Sequence, residues 1–303
     1  MALSSAAHDR ALGAFIGLAA GDALGTTLEF RTRDSYAPLT DMVGGGPFEL
    51  EPGVWTDDTS MALALAESLA ANDGLNARDL ASRFVNWWRW GVYSPTGDCF
   101  DIGITTQTAL AHFESTGDPF AGSTDPMSAG NGSLMRLSPV VLWGIGRPQD
   151  EMRQAARDQG RVTHAAETCL EACEAFSLIL AEAIRTGEFE QALAAGQECA
   201  TSAPIAEILS GGWRDKARDE ISSSGYVAHS LEAALWSVAN TDSFSEAVLL
   251  AANLGDDADT TAAITGQLAG ALYGMSAIPA DWLEKLAWRD ELIDLGERLI
   301  REA

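Results

Sequence analysis

The sequence is poor in cysteine, with four thiols in 303 residues and no pair in a Cys-x-x-Cys arrangement. A disulfide-stapled secreted fold and a cysteine-ligated zinc site are therefore both disfavoured. At this length the chain can bury a hydrophobic core large enough to fold without covalent cross-links. Cys169 and Cys173 lie one helical turn apart in an apolar stretch, so we expect buried, reduced thiols and a cytoplasmic protein.

Basic residues are also scarce, because 19 lysines and arginines face 44 aspartates and glutamates, which leaves a formal charge of -25. This charge repels nucleic-acid backbones and anionic lipid surfaces, so direct nucleic-acid binding is not expected. It also repels any phosphate-bearing small ligand, which would need local help from cations or backbone amides. No stretch of about 18 residues is apolar without glycine, threonine or charge interruptions, so membrane insertion is not expected either.

Alternating strand patterns and internal repeats are missing as well. Instead, apolar residues recur at helical spacing through most of the chain, with turn residues and no linker between the periodic segments. We therefore predict an all-α, compact single domain over residues 1–303, with helices packed around a central site. The predicted helices cover residues 9–24, 56–71, 78–91, 104–113, 148–159, 163–186, 188–200, 228–239, 243–253 and 282–300.

Glycine spacing gives two further predictions. The first predicted helix carries Gly13, Gly17 and Gly21 as a stripe of small residues, which permits the close approach of a second helix. Residues 31–53 are rich in glycine and proline and lack periodicity, which predicts a long surface loop of the kind that forms lids. The three tryptophans within residues 87–90 are interpreted as core residues.

Two acidic clusters carry the strongest chemical signal in the sequence. Asp256-Asp257-Ala258-Asp259-Thr260 places three carboxylates within four residues, and Thr56-Asp57-Asp58-Thr59 has the same chemistry two hundred residues earlier. Carboxylates this close repel one another unless a cation lies between them. Oxygen ligands suit Mg²⁺ or Mn²⁺, and four or more carboxylates fit two bridged ions better than one. We predict that folding closes the two clusters into one divalent-cation site.

The cluster at residues 256–261 does not fit two well-known aspartate motifs. An EF-hand is excluded because Ala262 and Leu268 lie where that loop needs a glycine and a bidentate glutamate. Asp257-Ala258-Asp259-Thr260-Thr261 also resembles the motif of haloacid-dehalogenase-type phosphatases. In those enzymes the motif ends the first strand of an α/β domain, whereas only about forty residues follow it here, too few for the parallel sheet.

Several polar residues outside the clusters have ordinary structural roles available to them. A surface ion pair with a neighbouring arginine accounts for Glu29, and capping of the following helix accounts for Asp101. His164 is interpreted as a cap or packing group, because no second histidine lies at metal-ligand spacing. Gly130-Asn131-Gly132-Ser133 exposes backbone N–H groups at a predicted helix start, a geometry suited to an anion, although a lone glycine-rich turn is a weak signal.

Taken together, these segments resemble the motifs of the ADP-ribosylglycohydrolase family, in order and over almost the whole chain. The resemblance looks closest to the dinitrogenase-reductase-activating glycohydrolase branch, because of the last acidic cluster and the segment Cys99-Phe100-Asp101-Ile102-Gly103. The matching segments are Gly21-Asp22-Ala23-Leu24-Gly25 with Glu29, Trp55-Thr56-Asp57-Asp58-Thr59, Gly130-Asn131-Gly132-Ser133-Leu134-Met135-Arg136, Thr163-His164, Ser224-Gly225-Tyr226-Val227 and Gly255-Asp256-Asp257-Ala258-Asp259-Thr260-Thr261.

This resemblance implies an orthogonal all-α helix assembly around a cleft that holds two Mg²⁺ or Mn²⁺ ions. It also implies hydrolysis of the glycosidic bond between ADP-ribose and a modified protein side chain, arginine above all, with ADP-ribose as product. The metal ligands implied are Thr56, Asp57, Asp58, Asp257, Asp259 and Thr260. The catalytic residues implied are Glu29 and Asp101. The substrate contacts implied are the backbone amides of Gly130, Asn131, Gly132 and Ser133 to the diphosphate, Tyr226 on adenine and His164 in the pocket wall.

Two alternatives stay open at this point. Within the same class, the enzyme would act on ADP-ribosyl-serine or another ADP-ribose conjugate, depending on the wall around the leaving group. From a different class, the fold resembles that of lens proteins of the crystallin J1 type, so a non-catalytic structural protein or ADP-ribose binder is the second alternative. Retention of every implied metal ligand favours the enzyme over that alternative.

Overall fold

The computed structural model describes residues 3–199 and 201–302, and fourteen α-helices lie within these ranges. The helices are α1 (Ser5–Gly25), α2 (Asp57–Asn72), α3 (Ala77–Trp90), α4 (Ile104–Thr116), α5 (Ser138–Gly144), α6 (Gln149–Arg161), α7 (Glu167–Thr186), α8 (Phe189–Gly196), α9 (Ala203–Leu209), α10 (Val227–Ala239), α11 (Phe244–Ala252), α12 (Ala258–Tyr273), α13 (Ala280–Lys285) and α14 (Arg289–Glu302). The described residues contain isolated β-bridges but no sheet. The all-α prediction is therefore confirmed.

The helices differ most from the predicted ones in the segments 163–209 and 282–300. The segment 282–300 is two helices, because the Ala287 N–H donates to the Gly53 carbonyl (3.0 Å) where the predicted helix would have continued. The segment 163–186 becomes helical only at Glu167, and α9 was not predicted at all. The predicted helix at 188–200 is α8 followed by a 3-10 turn, Gln197–Cys199, and Ala200 lies outside the described residues.

The glycine stripe of α1 packs directly against α12, as predicted. A Cβ atom added at Gly17 would lie 2.3 Å from the Gly266 carbonyl oxygen, and one added at Gly270 would lie 1.9 Å from the Gly13 oxygen. Contacts this short leave room only for glycine, so the two backbones touch. The pairing of early residues of α1 with late residues of α12 makes the helices antiparallel. The end of α1 therefore lies beside the start of α12.

Helix α1 lies at the centre of the hydrophobic core. Its apolar side chains belong to one continuous cluster of buried residues that includes members of α2, α5, α7, α10, α11, α12 and α14. With the 3-10 turn that follows it, Ser5–Leu28 is long and apolar enough to cross a membrane by length and composition. In this structure 94% of that apolar window is buried inside the protein, as for a central core helix.

The long loop at 31–53 is irregular, as predicted, apart from an isolated bridge between Gly45 and Leu50. The ring of Phe48 in this loop packs against the rings of Phe30 and Phe100, with centroid-to-centroid distances of 6.3 Å and 5.1 Å. The core interpretation of the tryptophans is wrong for Trp90, which is 76% exposed because it is the last residue of α3.

Candidate active site

The two acidic clusters meet because the N-termini of α2 and α12 converge near the end of α1. The first turn of α2 carries Asp57 and Asp58, and the first turn of α12 carries Asp259. Helix N-termini carry partial positive charge, which favours carboxylates in the first turn. Asp257 is the residue immediately before α12. Folding thus brings together the four cluster carboxylates that the sequence singles out.

Asp259 is the common member of three groups of carboxylates. Within each group, one oxygen atom of every residue lies within 4.8 Å of the others. The groups are Asp22, Asp58 and Asp259; Glu29, Asp257 and Asp259; and Asp57, Asp101 and Asp259.

The electrostatics of this cluster fit a bound cation. Among the described residues, no lysine or arginine forms an ion pair with any of these carboxylates. Burial and the neighbouring Asp259 raise the pKa of Asp257 to about 7, and burial and Asp22 raise the pKa of Asp58 well above its usual range. The buried Oδ1 of Asp58 has no hydrogen-bond partner. The cluster offers several carboxylate oxygens, no neutralising side chain and one oxygen without a hydrogen-bond partner, which suits a hard divalent cation.

The two threonines predicted as ligands have their hydroxyls at the same place. Thr56 Oγ1 lies 3.2 Å from Asp259 Oδ2, and Thr260 Oγ1 lies 3.3 Å from Asp58 Oδ2. Each hydroxyl oxygen therefore lies beside a carboxylate of the other acidic cluster.

Asp22 is a site residue that sequence reasoning missed. It is fully buried, and both of its oxygens accept hydrogen bonds from the start of α2. Oδ1 accepts from the Thr56 N–H (2.9 Å) and hydroxyl (2.9 Å), and Oδ2 accepts from the Thr59 N–H (2.9 Å) and hydroxyl (2.7 Å). The available signal was an aspartate between two glycines at the end of an otherwise apolar helix. Asp22 thereby anchors α2 to α1.

Glu29 does not form the surface ion pair that the local sequence predicts. It is buried, and its Oε2 accepts from the N–H groups of Ala258 (2.8 Å) and Asp259 (3.4 Å) at the start of α12. The side chain of nearby Arg33 donates to backbone carbonyls, among them that of Leu254 (2.8 Å). Burial and the neighbouring Asp259 raise the pKa of Glu29 above its usual range. Glu29 therefore belongs to the acidic cluster.

Asp101 does not cap α4, so that prediction is wrong as well. The N-cap of α4 is Gly103, without a side-chain cap, and Asp101 has a left-handed backbone (φ 59°) that turns it toward the carboxylates. Burial raises its pKa to about 6. A carboxyl group that exchanges its proton near neutral pH is suited to acid–base chemistry.

The carboxylates form the floor of a cavity of about 770 Å³. Its walls include the loop at Gly130–Gly132, His164 and the exposed apolar residues Phe30 and Ile104. A second cavity of about 530 Å³ adjoins it, sharing Thr105, Gly130 and Gly225. Such volumes are typical of small-molecule sites.

The glycine loop offers fewer free amides than the sequence suggests. The Gly130 N–H donates to the Ser128 carbonyl (2.8 Å) and the Asn131 N–H to the Gly225 carbonyl (3.1 Å). The N–H groups of Gly132 and Ser133 have no acceptor among the described residues. Two of the four predicted amides thus have no protein acceptor, and of these two only Gly132 lines the cavity, since Ser133 is fully buried.

Comparison with known proteins identifies the family. Residues 3–303 match the model of the ADP-ribosylglycohydrolase family. The chain belongs to this family. Over 295 residues it is 46% identical to "ADP-ribosylarginine hydrolase Tri1" of Serratia proteamaculans, covering 96% of this chain and 79% of that protein. It is also 35% identical, over 290 residues, to "ADP-ribosyl-[dinitrogen reductase] glycohydrolase" of Rhodospirillum rubrum, covering 94% and 92% of the two chains.

A solved structure agrees with this assignment. The chain superposes on an "ADP-ribosylglycohydrolase-related protein complex" with a TM-score of 0.88 and 40% identity, covering 99% of both chains. The predicted family and fold are therefore confirmed, and the protein is a hydrolase of the ADP-ribosylglycohydrolase type.

Within this ADP-ribosylglycohydrolase, Asn131 and Ser133 support the loop from behind. Asn131 Nδ2 donates to Asp257 Oδ2 (2.9 Å) and to Ser230 Oγ (2.8 Å), so it holds one of the predicted metal ligands in place. The Ser133 side chain is fully buried and accepts from Cys173 Sγ (3.4 Å), away from the cavity. No α-helix starts at this loop, since α5 begins only at Ser138.

His164 and Tyr226 lie in different parts of the ADP-ribosylglycohydrolase cleft. His164 lines the larger cavity, where a Cβ atom added at Gly132 would lie 2.7 Å from its Cε1 atom. The glycine thus makes room for the imidazole ring. Tyr226 lines the smaller cavity and packs edge-on against His229, with ring centroids 5.0 Å apart.

Proposed function

We propose that this enzyme hydrolyses the bond between ADP-ribose and a modified arginine side chain of a protein, using two Mg²⁺ or Mn²⁺ ions. The observation that carries the proposal is the set of three carboxylate groups that share Asp259 at the floor of a 770 Å³ cavity. Two relatives, 46% and 44% identical over nearly the whole chain, have the name ADP-ribosylarginine hydrolase. That name supports arginine over serine as the modified residue.

The unpartnered oxygen of Asp58 and the absence of a cationic side chain from the described cluster support metal binding. When bound, divalent cations would neutralise the carboxylates and orient the ribose hydroxyls and a water molecule. The residues that would hold them are Thr56, Asp57, Asp58, Asp257, Asp259 and Thr260.

Glu29 and Asp101 supply the acid–base groups in this proposal. The bond between ribose C1 and the leaving nitrogen breaks with its electron pair going to nitrogen, and positive charge develops on the sugar. Asp101, whose pKa is raised to about 6 by burial, donates a proton to the leaving nitrogen. Glu29, held at the start of α12, faces the same cavity and accepts a proton from the attacking water.

The two adjoining cavities accommodate the two ends of ADP-ribose. The ribose that carries the modified side chain lies over the carboxylates, and the diphosphate lies at the free N–H group of Gly132. Adenine occupies the smaller cavity, where Tyr226 offers a stacking surface beside the exposed Met127.

An ADP-ribosylated protein is the substrate and ADP-ribose is the product. We also propose a cytoplasmic location, supported by four cysteines that are all free thiols.

A panel of peptides tests the function. Peptides with arginine-, serine- and acid-linked ADP-ribose are incubated with the enzyme in Mg²⁺, Mn²⁺ or EDTA, and released ADP-ribose is measured. We expect turnover of the arginine-linked peptide, abolished by EDTA. Faster turnover of the serine-linked peptide would mean that the enzyme acts on ADP-ribosyl-serine instead of ADP-ribosyl-arginine. Binding of ADP-ribose without turnover of any peptide would identify a non-catalytic binder.

Calorimetry with the metal alone tests the site directly, with two matched variants. Asp259→Asn removes the carboxylate that all three groups share and is expected to abolish tight binding of Mg²⁺ and Mn²⁺. Asp256→Asn removes an exposed carboxylate of the same cluster that belongs to none of the groups. This variant is expected to bind Mg²⁺ and Mn²⁺ as tightly as the wild type. Equal affinities of the two variants would refute the assigned ligand set.

A further inference from the structure

Arg136 is a fully buried arginine without a carboxylate partner among the described residues. Its Nε donates to Gln159 Oε1 (2.9 Å), and its Nη2 donates to the Gln159 carbonyl (3.0 Å) and to Thr163 Oγ1 (2.9 Å). The guanidinium also lies over the Phe84 ring, 4.6 Å from its centroid. A buried charge is costly, so an arginine held in this way indicates a role beyond packing.

The hydrogen bond from Arg136 to Thr163 helps to set the direction of the hydrogen bond between Thr163 and His164. Arginine is a donor only, so Thr163 Oγ1 must be the acceptor of the bond from Nη2. A threonine hydroxyl has one hydrogen atom, and the other partner of Thr163 Oγ1 is His164 Nδ1, at 2.9 Å. The oxygen could accept from both neighbours, but the hydroxyl proton of the fully buried Thr163 would then have no acceptor among the described residues. Thr163 therefore donates to Nδ1, and Nδ1 of His164 carries no proton.

The ring proton of His164 is then on Nε2. Burial and the charge of Arg136 lower the pKa of His164 to about 3, so the ring is neutral and carries one proton. Nε2 lies close to the glycine loop, 3.3 Å from the position of a Cβ atom on Gly130, and no described protein group accepts from it. His164 lines the cavity next to Gly132, whose N–H has no protein acceptor, so Nε2 presents an N–H donor at the same wall.

We propose that Arg136 and Thr163 are positioning residues that hold His164 in its Nε2–H tautomer, so that the ring donates a hydrogen bond to a phosphoryl oxygen of ADP-ribose. The identity of the acceptor rests on the proposed function, whereas the tautomer does not. The opposite tautomer would turn a nitrogen lone pair toward an anionic oxygen, which is repulsive. The buried charge of Arg136 thus acts on the substrate through two hydrogen bonds and without touching it.

Imidazole nitrogen NMR tests the tautomer without any substrate. The chain has four histidines, His8, His112, His164 and His229, and the signals absent from a His164→Gln spectrum assign the ring of interest. In the wild-type protein at neutral pH we expect a protonated Nε2 and an unprotonated Nδ1. A protonated Nδ1, or a doubly protonated ring, would overturn the proposal.

Threonine variants test the link between Arg136 and the ring. Thr163→Val removes the hydroxyl and keeps the shape, so we expect a mixture of tautomers and about tenfold weaker ADP-ribose binding by calorimetry at saturating Mg²⁺, which is about 1.4 kcal/mol. Thr163→Ser restores the hydroxyl and is expected to restore both. The matched control is Thr265→Val, since Thr265 is equally buried and its hydroxyl donates only to the Thr261 carbonyl (2.8 Å).

Arginine variants complete the test. Arg136→Lys keeps a cationic donor toward Thr163 and is expected to keep the tautomer, whereas Arg136→Met is expected to lose it. Should Arg136→Met fail to fold, the Thr163 variants still decide the matter. An unchanged tautomer in Thr163→Val would overturn the proposal, and an altered tautomer with unchanged ADP-ribose affinity would overturn the contact with the phosphoryl group. If the wild-type protein shows the expected tautomer but binds no ADP-ribose, the positioning of His164 by Arg136 and Thr163 stands. In that case the proposed function is refuted instead.

Discussion

Asp22 and Glu29 are two buried carboxylates seven residues apart at the end of α1, and they differ in what is left for a ligand. Asp22 accepts four hydrogen bonds from Thr56 and Thr59 and does not line either cavity of the cleft. Glu29 accepts backbone bonds at the start of α12 through one oxygen and lines the larger cavity. Asp22 and Glu29 thus hold the starts of the two helices that carry the acidic clusters, and only Glu29 lines the cavity.

Asp22 and Glu29 show that burial and a raised pKa do not by themselves identify a catalytic carboxylate. Burial, followed by the charge of Asp259, raises the pKa of both residues, to about 7 for Asp22. The number of protein donors separates them, because a carboxylate whose lone pairs are all engaged has none to offer to water or substrate.

The largest expected effect is on the activity of Glu29→Gln. The amide oxygen can still accept from the Ala258 N–H, but the side chain can no longer take a proton. We expect kcat for the arginine-linked peptide to fall by about 10²- to 10⁴-fold, with little change in melting temperature. Steady-state kinetics and thermal unfolding in Mg²⁺ measure both quantities. A variant with wild-type kcat would remove Glu29 from the acid–base pair.

A smaller effect, on stability, is expected for Asp22→Asn. The amide nitrogen cannot accept, so the buried Thr59 N–H and hydroxyl, or their Thr56 counterparts, lose their acceptor. Unpaired buried donors cost about 1–3 kcal/mol in the free energy of unfolding, measured by urea denaturation in Mg²⁺. The matched control is Asp125→Asn in an exposed turn, which is expected to unfold as the wild type does. Equal stability of Asp22→Asn and wild type would contradict the anchoring role.

The pH dependence of the metal-free protein sharpens the same comparison. The pKa of Asp22 and of Asp257 is raised to about 7 by burial and Asp259, above the value in an unfolded chain. Between about pH 4 and pH 7 the folded state therefore binds more protons than the unfolded state, and its stability falls as pH rises. We expect the melting temperature in EDTA to fall across this range, less steeply in Asp22→Asn. A melting temperature that rises toward pH 7 in EDTA would contradict these pKa shifts.

The smallest effect is expected for Thr59→Val. This change removes one of the four hydrogen bonds to Asp22 while the Thr59 N–H bond remains. A loss of about 1 kcal/mol in the free energy of unfolding is expected, with unchanged kcat and KM. Because Thr59 is fully buried, a change in kcat at unchanged stability would mean that Asp22 takes part in the chemistry after all.

The sequence is enough to predict the helical class, the glycine contact of α1 and the meeting of the two acidic clusters. Helical periodicity and crowded carboxylates are local signals, and each has a direct physical cause. The partners of Asp22 could not be predicted, because they lie on another helix and a charged residue in an apolar helix is compatible with several kinds of partner. The same holds for Glu29, whose backbone partners follow it by more than two hundred residues.

The local sequence gave wrong predictions where the backbone conformation determines which way a side chain or an amide points. Asp101 precedes a helix and has the residue type of a cap, but its positive φ turns the side chain elsewhere. The amides of Gly130 and Asn131 are engaged by residues 128 and 225, the second of them distant in sequence. Such pairings depend on tertiary structure, so no local pattern indicates which loop amides remain free.

The contact of α1 with α12 has a consequence for synthesis of the chain. Among the described residues, α1 with its 3-10 turn is the one segment long and apolar enough to cross a membrane, and it is made first. Its glycine partners at Gly266 and Gly270 are made about 250 residues later. At roughly 5–20 residues per second, the interval is on the order of ten to fifty seconds, during which α1 lacks the surface that covers it in the finished fold. A nascent chain that stops before α12 lacks Asp259, the carboxylate common to all three groups, and the helix that covers the glycine stripe of α1, so the acidic site forms only once the chain is nearly complete.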